Sequence, residues 1–413
     1  MSSIKTRLKS VPIIGAAWAR FRCRQLHRAY EQRRDDYARI TIERGLRYDE
    51  QDTILAVRTR ISDRGYVPIK RETNDIHTFA LIPQVSWHKH LLPDLHELGP
   101  VTLFDYVAAG YSSEIFYGRP QWNSEHMRLR KDMLSKVLPM FRDAHRKRLV
   151  DWIVCYGGGQ DISASVIKQI VSEYGVPTVN MTFDDKHGWA GPYCGEHCTG
   201  ARDLTKEFDV FYTSARVACE WHLVEGGRAI YMPEGFDNSY FHPRKREKDI
   251  PVSFVGASYG FRQDVIKFLQ DHGIDIQAYG KGWPRGFAND PVDIFNRSAI
   301  NLGMGGIGYS ESLTNVKGRD FEIPGTGGGV YLTSFNPDLA QHFVVGEEII
   351  CYRNRDEMLE LIRYYLQHRD EAEKIAERGR IRCLRQHRWL YRYQKGLCII
   401  GILSDQKKYQ GAV

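Results

Sequence analysis

The feature of this sequence that most constrains its fold is an alternation of β-rich and helical segments that occurs twice. The first series begins at about residue 77 and includes the apolar run DWIVCY, residues 151–156. The second begins with PVSFVG, residues 251–256, and continues to about residue 390. Strands that are separated by helical crossovers of this length pair in parallel. The 413 residues also fit two domains of about 150–200 residues each. The sequence therefore predicts two α/β domains of the Rossmann-like type.

A linker is predicted between the two series. The segment MPEGFDNSYFHPRKREKD, residues 232–249, combines Pro, Gly and Asn with a charge run. Ligands of such domains are expected in a cleft, with phosphates at the carboxyl ends of strands. One long amphipathic helix is predicted for Asn123–Arg148. A stripe of Ala372, Ile375, Ala376, Gly379 and Cys383 predicts another helix that begins near Asp370.

The composition indicates a globular protein of a reducing compartment. The chain is 42% hydrophobic and 26% charged, and it contains no uncharged apolar stretch of about 18 residues. A membrane-spanning helix is therefore not expected, and the short N-terminal apolar run does not resemble a secretory signal. The eight cysteines are scattered, which favours free thiols. We expect a cytoplasmic protein.

The net charge of +7 is concentrated in an N-terminal arm. Residues 1–34 contain a single acid, Glu31, and nine basic residues: Lys5, Arg7, Lys9, Arg20, Arg22, Arg24, Arg28, Arg33 and Arg34. A helix would gather Ile14, Trp18 and Phe21 on one face. Such an amphipathic arm can bind an anionic membrane surface, here the inner face of the membrane, or it can be a solvated helix packed on a domain. Nucleic acid is not expected, since no binding motif accompanies the charge.

The segment Lys317–Ser334, KGRDFEIPGTGGGVYLTS, is the most informative candidate site. The basic residues Lys317 and Arg319 precede Glu322, and Pro324 with Gly325 is expected to break the chain before a strand. Backbone amides of a glycine-rich turn, with Lys or Arg, can bind a diphosphate. A carboxylate such as Glu322 can accept hydrogen bonds from both ribose hydroxyls. The alternative interpretation is a plain helix-to-strand turn.

Two further motifs are placed at strand ends. GMGGIG, residues 303–308, matches G-x-G-x-x-G, but no clear helix follows it, so we expect a flexible loop over the phosphates. FDDKHGW, residues 183–189, places Asp184, Asp185 and His187 where a parallel strand ends. Asp185 or His187 can act as a general base on an acceptor hydroxyl. Turn capping by the aspartates is the alternative.

A metal site is not predicted. Cys194, His197 and Cys198 lie close in sequence to His187, but no second cysteine pair follows at the usual zinc spacing. The chain contains no D-x-D motif, which metal-dependent sugar-nucleotide enzymes use. A metal-free mechanism fits better.

Several separated blocks between about Pro251 and Trp389 closely resemble the C-terminal domain of glycosyltransferases of the spore maturation protein CgeB-like family. The blocks include PVSFVGASYGFR and GRDFEIPGTGGG, in the family's order. MPEGFDNSYFHP is similar to the linker of GT-B glycosyltransferases. The resemblance implies a GT-B fold, in which two Rossmann-like domains face each other across a cleft. The implied parts are an arm (1–40), an acceptor-side domain (41–232), a linker (233–250), a donor domain (251–390) and a C-terminal crossover helix with tail (391–413).

The resemblance also implies roles for individual residues. Glu322 corresponds to the family's ribose-binding glutamate, and Arg262, Lys317 and Arg319 correspond to diphosphate-binding residues. The Gly-Thr-Gly turn of Gly325, Thr326 and Gly327 would lie beside the sugar and phosphates. Related retaining families carry a second glutamate eight positions before the first. Thr314 occupies that position here and Glu311 is the nearest acid, so the stereochemistry stays open.

The predicted function is transfer of a sugar from a UDP- or GDP-type nucleotide-sugar to a hydroxyl acceptor. The acceptor is expected to be a glycan or a lipid-linked glycan, in glycan or surface polysaccharide synthesis. No cofactor is expected, because the nucleotide-sugar is a co-substrate. The alternatives are a nucleotide-sugar epimerase and a non-catalytic module that binds nucleotide-sugar or glycan.

Overall fold

The computed structural model describes residues 12–112 and 122–404, and the side chains from residue 17 onward. The chain divides into two compact units. The N-terminal unit contains Asp36–Asp237 and the chain from Gln386 onward. The C-terminal unit contains Asn238–Arg385 and the chain up to Asp35. Among the described residues, no helix is both long enough and apolar enough to span a membrane.

Helix α1, Pro12–Glu43, opens the described chain. Its part up to Asp35 belongs to the C-terminal unit, where the His27 ring nitrogen Nε2 hydrogen-bonds to the Ser310 hydroxyl at 2.7 Å. Trp18 is half-buried, whereas Phe21 is 51% exposed. Of the predicted arm, Lys5, Arg7, Lys9 and the side chain of Ile14 lie outside the described part.

The N-terminal unit is a parallel α/β sheet covered by helices. Between α1 and residue 237, the α-helices of this unit are α2 (Glu50–Asp63), α3 (Val85–Leu98), α4 (Ser124–Ser135), α5 (Val137–Lys147), α6 (Ala164–Tyr174), α7 (Asp185–Gly188) and α8 (Arg216–Val224). Its strands are β1 (Thr78–Leu81), β2 (Val101–Leu103), β3 (Trp152–Tyr156), β4 (Thr178–Thr182), β5 (Val210–Thr213) and β6 (Ala229–Tyr231). The order is β2-β1-β3-β4-β5-β6, and every pair is parallel.

The local sequence explains where these helices begin and end. Asp49 caps α2, since its carboxylate accepts hydrogen bonds from the backbone N–H groups of Gln51 and Asp52. Ser163 caps the start of α6, and Gly175 ends it in the left-handed conformation, with φ of 68°. Strand β3 is apolar and is buried at Trp152, Ile153, Val154 and Cys155, as is typical of a parallel sheet with helices on both faces.

The single helix predicted for Asn123–Arg148 is wrong, because the structure has two helices, α4 and α5, that separate at Lys136. Pro139 lies in the first turn of α5 and has no N–H to donate to the carbonyl of Ser135. The backbone N–H of Lys136 instead donates to the Met133 carbonyl at 3.2 Å, a tighter turn.

The C-terminal unit repeats the parallel architecture. Its helices are α9 (Arg262–Asp271), α10 (Pro291–Arg297), α11 (Arg319–Thr326), α12 (Arg355–Gln367) and α13 (Arg369–Gln386). Its strands are β7 (Ile250–Val255), β8 (Ile276–Tyr279), β9 (Ser298–Leu302), β10 (Gly306–Ile307), β11 (Ser310–Thr314), β12 (Val330–Ser334) and β13 (Ile350–Tyr352). The sheet order is β13-β12-β9-β7-β8, all parallel, and β10 and β11 form a separate antiparallel hairpin.

The predicted apolar stripe of α13 is confirmed. Its members are all buried: Ala372, Ile375, Ala376, Gly379 and Cys383. Gly379 is required by packing, because a Cβ at this position would lie 2.3 Å from the Glu348 carbonyl oxygen.

Helix α14, Trp389–Ile399, returns the chain to the N-terminal unit. Its residues Trp389, Tyr393 and Leu397 belong to the same buried core as Trp152 of β3. Asp94 of α3 fixes the start of α14, because its carboxylate accepts a hydrogen bond from the backbone N–H of Leu390 at 2.7 Å.

Candidate active site

Arg262, Lys317, Arg319 and Glu322, four of the sequence-predicted donor residues, lie near the carboxyl edge of the C-terminal sheet. Helix α9 begins with Arg262 shortly after β7, and the hairpin β10–β11 follows β9. Helix α11 begins with Arg319 directly after that hairpin and runs back toward the start of β12. The carboxyl ends of parallel strands lie at one edge of a sheet. Arg262, the hairpin and the first turn of α11 therefore share this edge.

Lys317 connects the hairpin to the first turn of α11. Its ammonium donates hydrogen bonds to the carbonyl oxygens of Gly306 at 2.8 Å and Met304 at 3.3 Å. Its backbone N–H donates to Asp320 Oδ2 at 2.8 Å. These contacts place a half-buried cation beside the N-terminus of α11, where backbone amides and the helix dipole also favour an anion.

Asp320 connects the first turn of α11 to strand β12. The Tyr331 hydroxyl of β12 donates to Asp320 Oδ1 at 2.6 Å, and both residues are buried. Burial raises the pKa of the Asp320 carboxyl, while the hydrogen bond from Tyr331 lowers it. Sequence reasoning missed this pair, because its partners come from different elements.

Glu322 lies one turn into α11 and is 4% exposed. Its carboxylate Oε2 accepts a hydrogen bond from Arg319 Nη1, in an i, i+3 ion pair. The Arg319 side chain is 39% exposed, and its guanidinium lies 5.8 Å from the centroid of the Phe295 ring. The sequence therefore places a buried carboxylate and a reachable guanidinium on neighbouring turns of one helix face.

Arg262 is buried at the end of β7. Its Nη1 donates to the Ala257 carbonyl at 3.0 Å, and its guanidinium lies 4.3 Å from the Tyr259 ring centroid. Burial lowers the pKa of Arg262. Its Nε is buried without a hydrogen-bond partner among the described residues. A buried hydrogen-bond donor without a partner is rare in folded proteins, so this Nε is a candidate group for binding a ligand.

Glu311 lies on β11 and is paired with Arg355 at the start of α12. Arg355 Nε donates to Glu311 Oε2 at 3.2 Å, and Arg355 Nη2 donates to Glu311 Oε1. This ion pair fastens the hairpin to the body of the unit.

The predicted chain break at Pro324 and Gly325 is wrong, because α11 continues through both residues to Thr326. Pro324 is accommodated where its ring packs against Gly379, 3.4 Å from the position of a Cβ there. Gly327 ends the helix with φ of 66°. Gly325, Thr326 and Gly327 thus form the C-terminal end of α11, which presents carbonyl oxygens instead of amides. These three residues therefore lie at the opposite end of α11 from Arg319.

The flexible loop predicted for Gly303–Gly308 is also wrong, because the segment leads into and forms part of the hairpin β10–β11. The Tyr352 hydroxyl donates to the Gly303 carbonyl at 3.0 Å, and the Gly305 N–H donates to the Ser334 hydroxyl at 2.9 Å. Both contacts fix the segment to the ends of β12 and β13. Sequence reasoning failed here because Gly306 and Ile307 make a strand too short to show alternation.

A second candidate site lies in the N-terminal unit, at the carboxyl ends of β3 and β4. It is a pocket of ≈ 330 Å³. The sequence-predicted residues Asp184, Asp185 and His187 line it, together with Tyr156, Phe183, Trp122 and Gln160. The sequence signal for Gln160 is the GGGQD run that follows β3.

The three predicted residues of this pocket have different environments. Asp185 is 1% exposed, and its Oδ2 accepts hydrogen bonds from the hydroxyls of Thr213 at 2.6 Å and Thr182 at 3.1 Å. The His187 side chain is 37% exposed, and its Nε2 lies 3.7 Å from Asp184 Oδ1. Of the two side chains proposed as a base, His187 is therefore accessible and Asp185 is buried.

Cys194 and Cys198 are buried in the loop that follows α7. The Cys194 thiol donates to the carbonyl oxygens of Gly159 and His197, each at 3.3 Å. Burial raises the pKa of Cys194 to about 11. In residues 12–112 and 122–404, no three His, Cys, Asp or Glu side chains are arranged as metal ligands.

Residues 262–397 match the family model described as glycosyl transferase-like. This part of the chain is thus a glycosyl transferase-like domain, which confirms the predicted enzyme class for it. The match contains Arg262, Lys317, Arg319 and Glu322. No curated protein matches the chain in sequence.

Solved structures share the fold over about four fifths of the chain. The α,α-trehalose-phosphate synthase (UDP-forming) from Burkholderia vietnamiensis is 10% identical with a TM-score of 0.51, covering 79% of this chain and 99% of the synthase. The trehalose-6-phosphate synthase OtsA is 10% identical with a TM-score of 0.51, covering 78% and 99%. HepE from Anabaena, solved with UDP, is 10% identical with a TM-score of 0.49, covering 80% and 100%. The predicted GT-B fold is confirmed; the CgeB-like resemblance stays a prediction.

Proposed function

We propose that this protein transfers a sugar from a nucleotide-sugar donor to a hydroxyl group of an acceptor glycan. The observation that carries the proposal is the first turn of α11, which lies within the glycosyl transferase-like match and brings Lys317, Arg319 and Glu322 together at the carboxyl edge of the sheet. An anionic diphosphate fits the two cations and the helix N-terminus.

Each donor residue has a role in this proposal. Glu322 accepts hydrogen bonds from the ribose hydroxyls. These hydrogen bonds partly replace its ion pair with Arg319. Lys317, Arg319 and the unpartnered Nε of Arg262 bind the diphosphate oxygens. Glu311 supports the hairpin through Arg355. The bond from the anomeric carbon to the diphosphate breaks, and these cations stabilise the charge that develops on the leaving oxygen without a metal ion.

The acceptor side is the pocket of the N-terminal unit. The acceptor hydroxyl gives its proton to His187 as its oxygen bonds to the anomeric carbon. Asp185 keeps the ends of β4 and β5 in place through the hydroxyls of Thr182 and Thr213. The anomeric configuration of the product shows whether the reaction retains or inverts the configuration of the donor.

We also propose that α1 holds the protein at the inner face of an anionic membrane, where a lipid-linked acceptor would be presented. Arg20, Arg24 and Arg28 are exposed and four residues apart, which places them on one helix face beside the exposed Phe21. Flotation with vesicles of 30% phosphatidylglycerol tests this. Reversing the three arginines to glutamate is expected to abolish flotation, and unchanged flotation contradicts the proposal.

The experiment that tests the function is incubation with UDP-, GDP-, CMP- and dTDP-sugars. The UDP-forming activity in the synthase's name makes UDP-sugars the first choice. Nucleotide release that accelerates when a glycan acceptor is added is the expected result. Isomerisation of the sugar would indicate an epimerase, and binding without turnover would indicate a non-catalytic module; either outcome contradicts the proposal.

A further inference from the structure

The pocket of the N-terminal unit is lined by acidic residues. Three carboxylates line it, those of Asp161, Asp184 and Asp185, and no Lys or Arg lines it among the described residues. The Asp184 side chain is 75% exposed at the pocket, whereas Asp161 and Asp185 form its buried wall.

Arg130 is a buried cation that interacts electrostatically with Asp161 but does not line the pocket. Arg130 donates to the carbonyl oxygens of Gly159 at 3.0 Å and Ile162 at 2.8 Å, so it holds the loop that follows β3 from behind. His187 Nε2 is 3.7 Å from Asp184, and His222 Nε2 is 3.7 Å from Asp185. The pocket is thus acidic, and His187 is the histidine that lines it among the described residues.

Aromatic and amide groups complete the lining. The Tyr156 ring lies 5.3 Å from the Phe183 ring, and Trp122 is half-buried at the same pocket. Gln160 accepts a hydrogen bond from the Gly200 N–H at 3.1 Å through Oε1, which leaves its NH₂ group to donate. Aromatic faces pack against the C–H faces of sugar rings, while amides and carboxylates bind sugar hydroxyls.

We infer that the acceptor ring that enters this pocket is an uncharged hexose or an amino sugar, and that phosphorylated and carboxylated sugars are rejected. The volume of ≈ 330 Å³ is near the lower limit of small-molecule sites, about 300–1,000 Å³, and suits one or two sugar rings. A phosphate or carboxylate here would lie beside Asp161 and Asp184 with no Lys or Arg among the described lining residues, and like charges at short distances repel. This inference rests on the proposed function, since it assigns the acceptor class of the same site.

The test compares binding of four monosaccharides by saturation-transfer NMR and calorimetry. The probes are methyl glucoside, glucosamine, glucose 6-phosphate and glucuronate. We expect methyl glucoside and glucosamine to bind at least about tenfold more tightly than the two anions. Because binding is measured directly, selectivity without any sugar transfer would contradict the proposed function and leave this inference standing.

Charge variants identify the site. Asp184→Lys is expected to narrow the tenfold preference to about twofold or less, because it removes a negative charge at the pocket and adds a positive one. Asp63→Lys is the matched control: Asp63 is an exposed aspartate of the same unit, outside the pocket lining, and its variant should keep the preference. Equal or tighter binding of glucose 6-phosphate by the wild type would overturn the inference. The inference would also be overturned if none of the four sugars bound, or if Asp184→Lys and wild type had identical selectivity.

Discussion

At the scale of single residues, the account depends on the first turn of α11, where Lys317, Arg319 and Glu322 lie within six residues of sequence. The sequence was sufficient to propose these three, because their chemistry and spacing are local. It could not identify the support beneath them, since Asp320 reaches Tyr331 only after β12 has joined the sheet. It also predicted a chain break at Pro324 and Gly325, whereas α11 continues through both residues, with Pro324 packed beside Gly379.

Arg319→Gln should weaken binding of the donor's nucleoside diphosphate about tenfold, since a charge-assisted hydrogen bond contributes about 1.5–3 kcal/mol. Affinity for the matching nucleoside monophosphate should change less than threefold. Calorimetry with both nucleotides checks this. Arg353→Gln, at a 66% exposed arginine of the same unit, is the control. Equal losses for the two nucleotides would place Arg319 away from the diphosphate.

His187→Gln should lower kcat by about a hundredfold or more, the usual contribution of a general base, and leave the donor KM within twofold. Steady-state kinetics with a saturating glycan acceptor measure both. His368→Gln, at an exposed histidine of α12's C-terminus, is the control. If kcat in His187→Gln equals that of wild type, another group accepts the proton.

At the scale of elements, the hairpin β10–β11 links α1 to the donor residues. Leu26 lies against Gly308 at the hairpin turn, and His27 hydrogen-bonds to Ser310. The carbonyls of Met304 and Gly306 on the same segment hold the Lys317 ammonium. Helix α1 therefore supports the position of Lys317 indirectly.

Leu26→Asp should raise the donor KM about three- to tenfold and leave kcat within twofold, because a charge at this contact loosens the hairpin while the acceptor pocket is intact. Gln25→Asp, at an exposed neighbour on α1, is the matched control and should have no effect. Kinetics with varied donor decide. A fall in kcat at unchanged KM would show that α1 does not act through the donor site.

Asp94, which contacts the start of α14, should make the free energy of unfolding depend on pH. Burial raises the pKa of Asp94 to about 6, although Arg388 partly offsets this. A carboxyl whose folded pKa exceeds its unfolded value of 3.8 stabilises the fold below pH 4, and this contribution is lost as pH rises through 6. The free energy of unfolding of wild type relative to Asp94→Asn should therefore fall by about 2–3 kcal/mol between pH 4 and pH 7. Urea denaturation at four pH values measures this; a constant difference would contradict it.

Elements of regular periodicity were predictable and irregular ones were not. The α13 stripe repeats every three to four residues, so its buried face followed from the sequence. The break between α4 and α5 depends on the missing N–H of Pro139, one group within an otherwise helical pattern. The pocket beside Asp184 joins two strands and a distant loop, and only the folded chain brings Tyr156, Gln160 and His187 together.

At the scale of the whole molecule, the two units repeat one design. Each sheet is parallel, and its first strand in sequence lies between the second and the third. Open sheets of this kind bind ligands where the strand order reverses, beside that first strand. Arg262 follows β7, which is the first strand of its sheet, whereas Asp184 follows β4, two strands from β1; both lie at the carboxyl edge of their own sheet. The GT-B fold thus supplies one candidate site in each unit.

The measurement that tests the central claim most directly is calorimetric titration of wild type and Glu322→Gln with the nucleoside diphosphate that the donor panel identifies. The account predicts that wild type binds and that Glu322→Gln binds at least about tenfold more weakly, since a neutral amide accepts weaker hydrogen bonds from the ribose than a carboxylate. Glu360→Gln, at an exposed glutamate of α12, should bind like wild type. Equal affinity of Glu322→Gln and wild type would contradict the assignment of the donor site to α11.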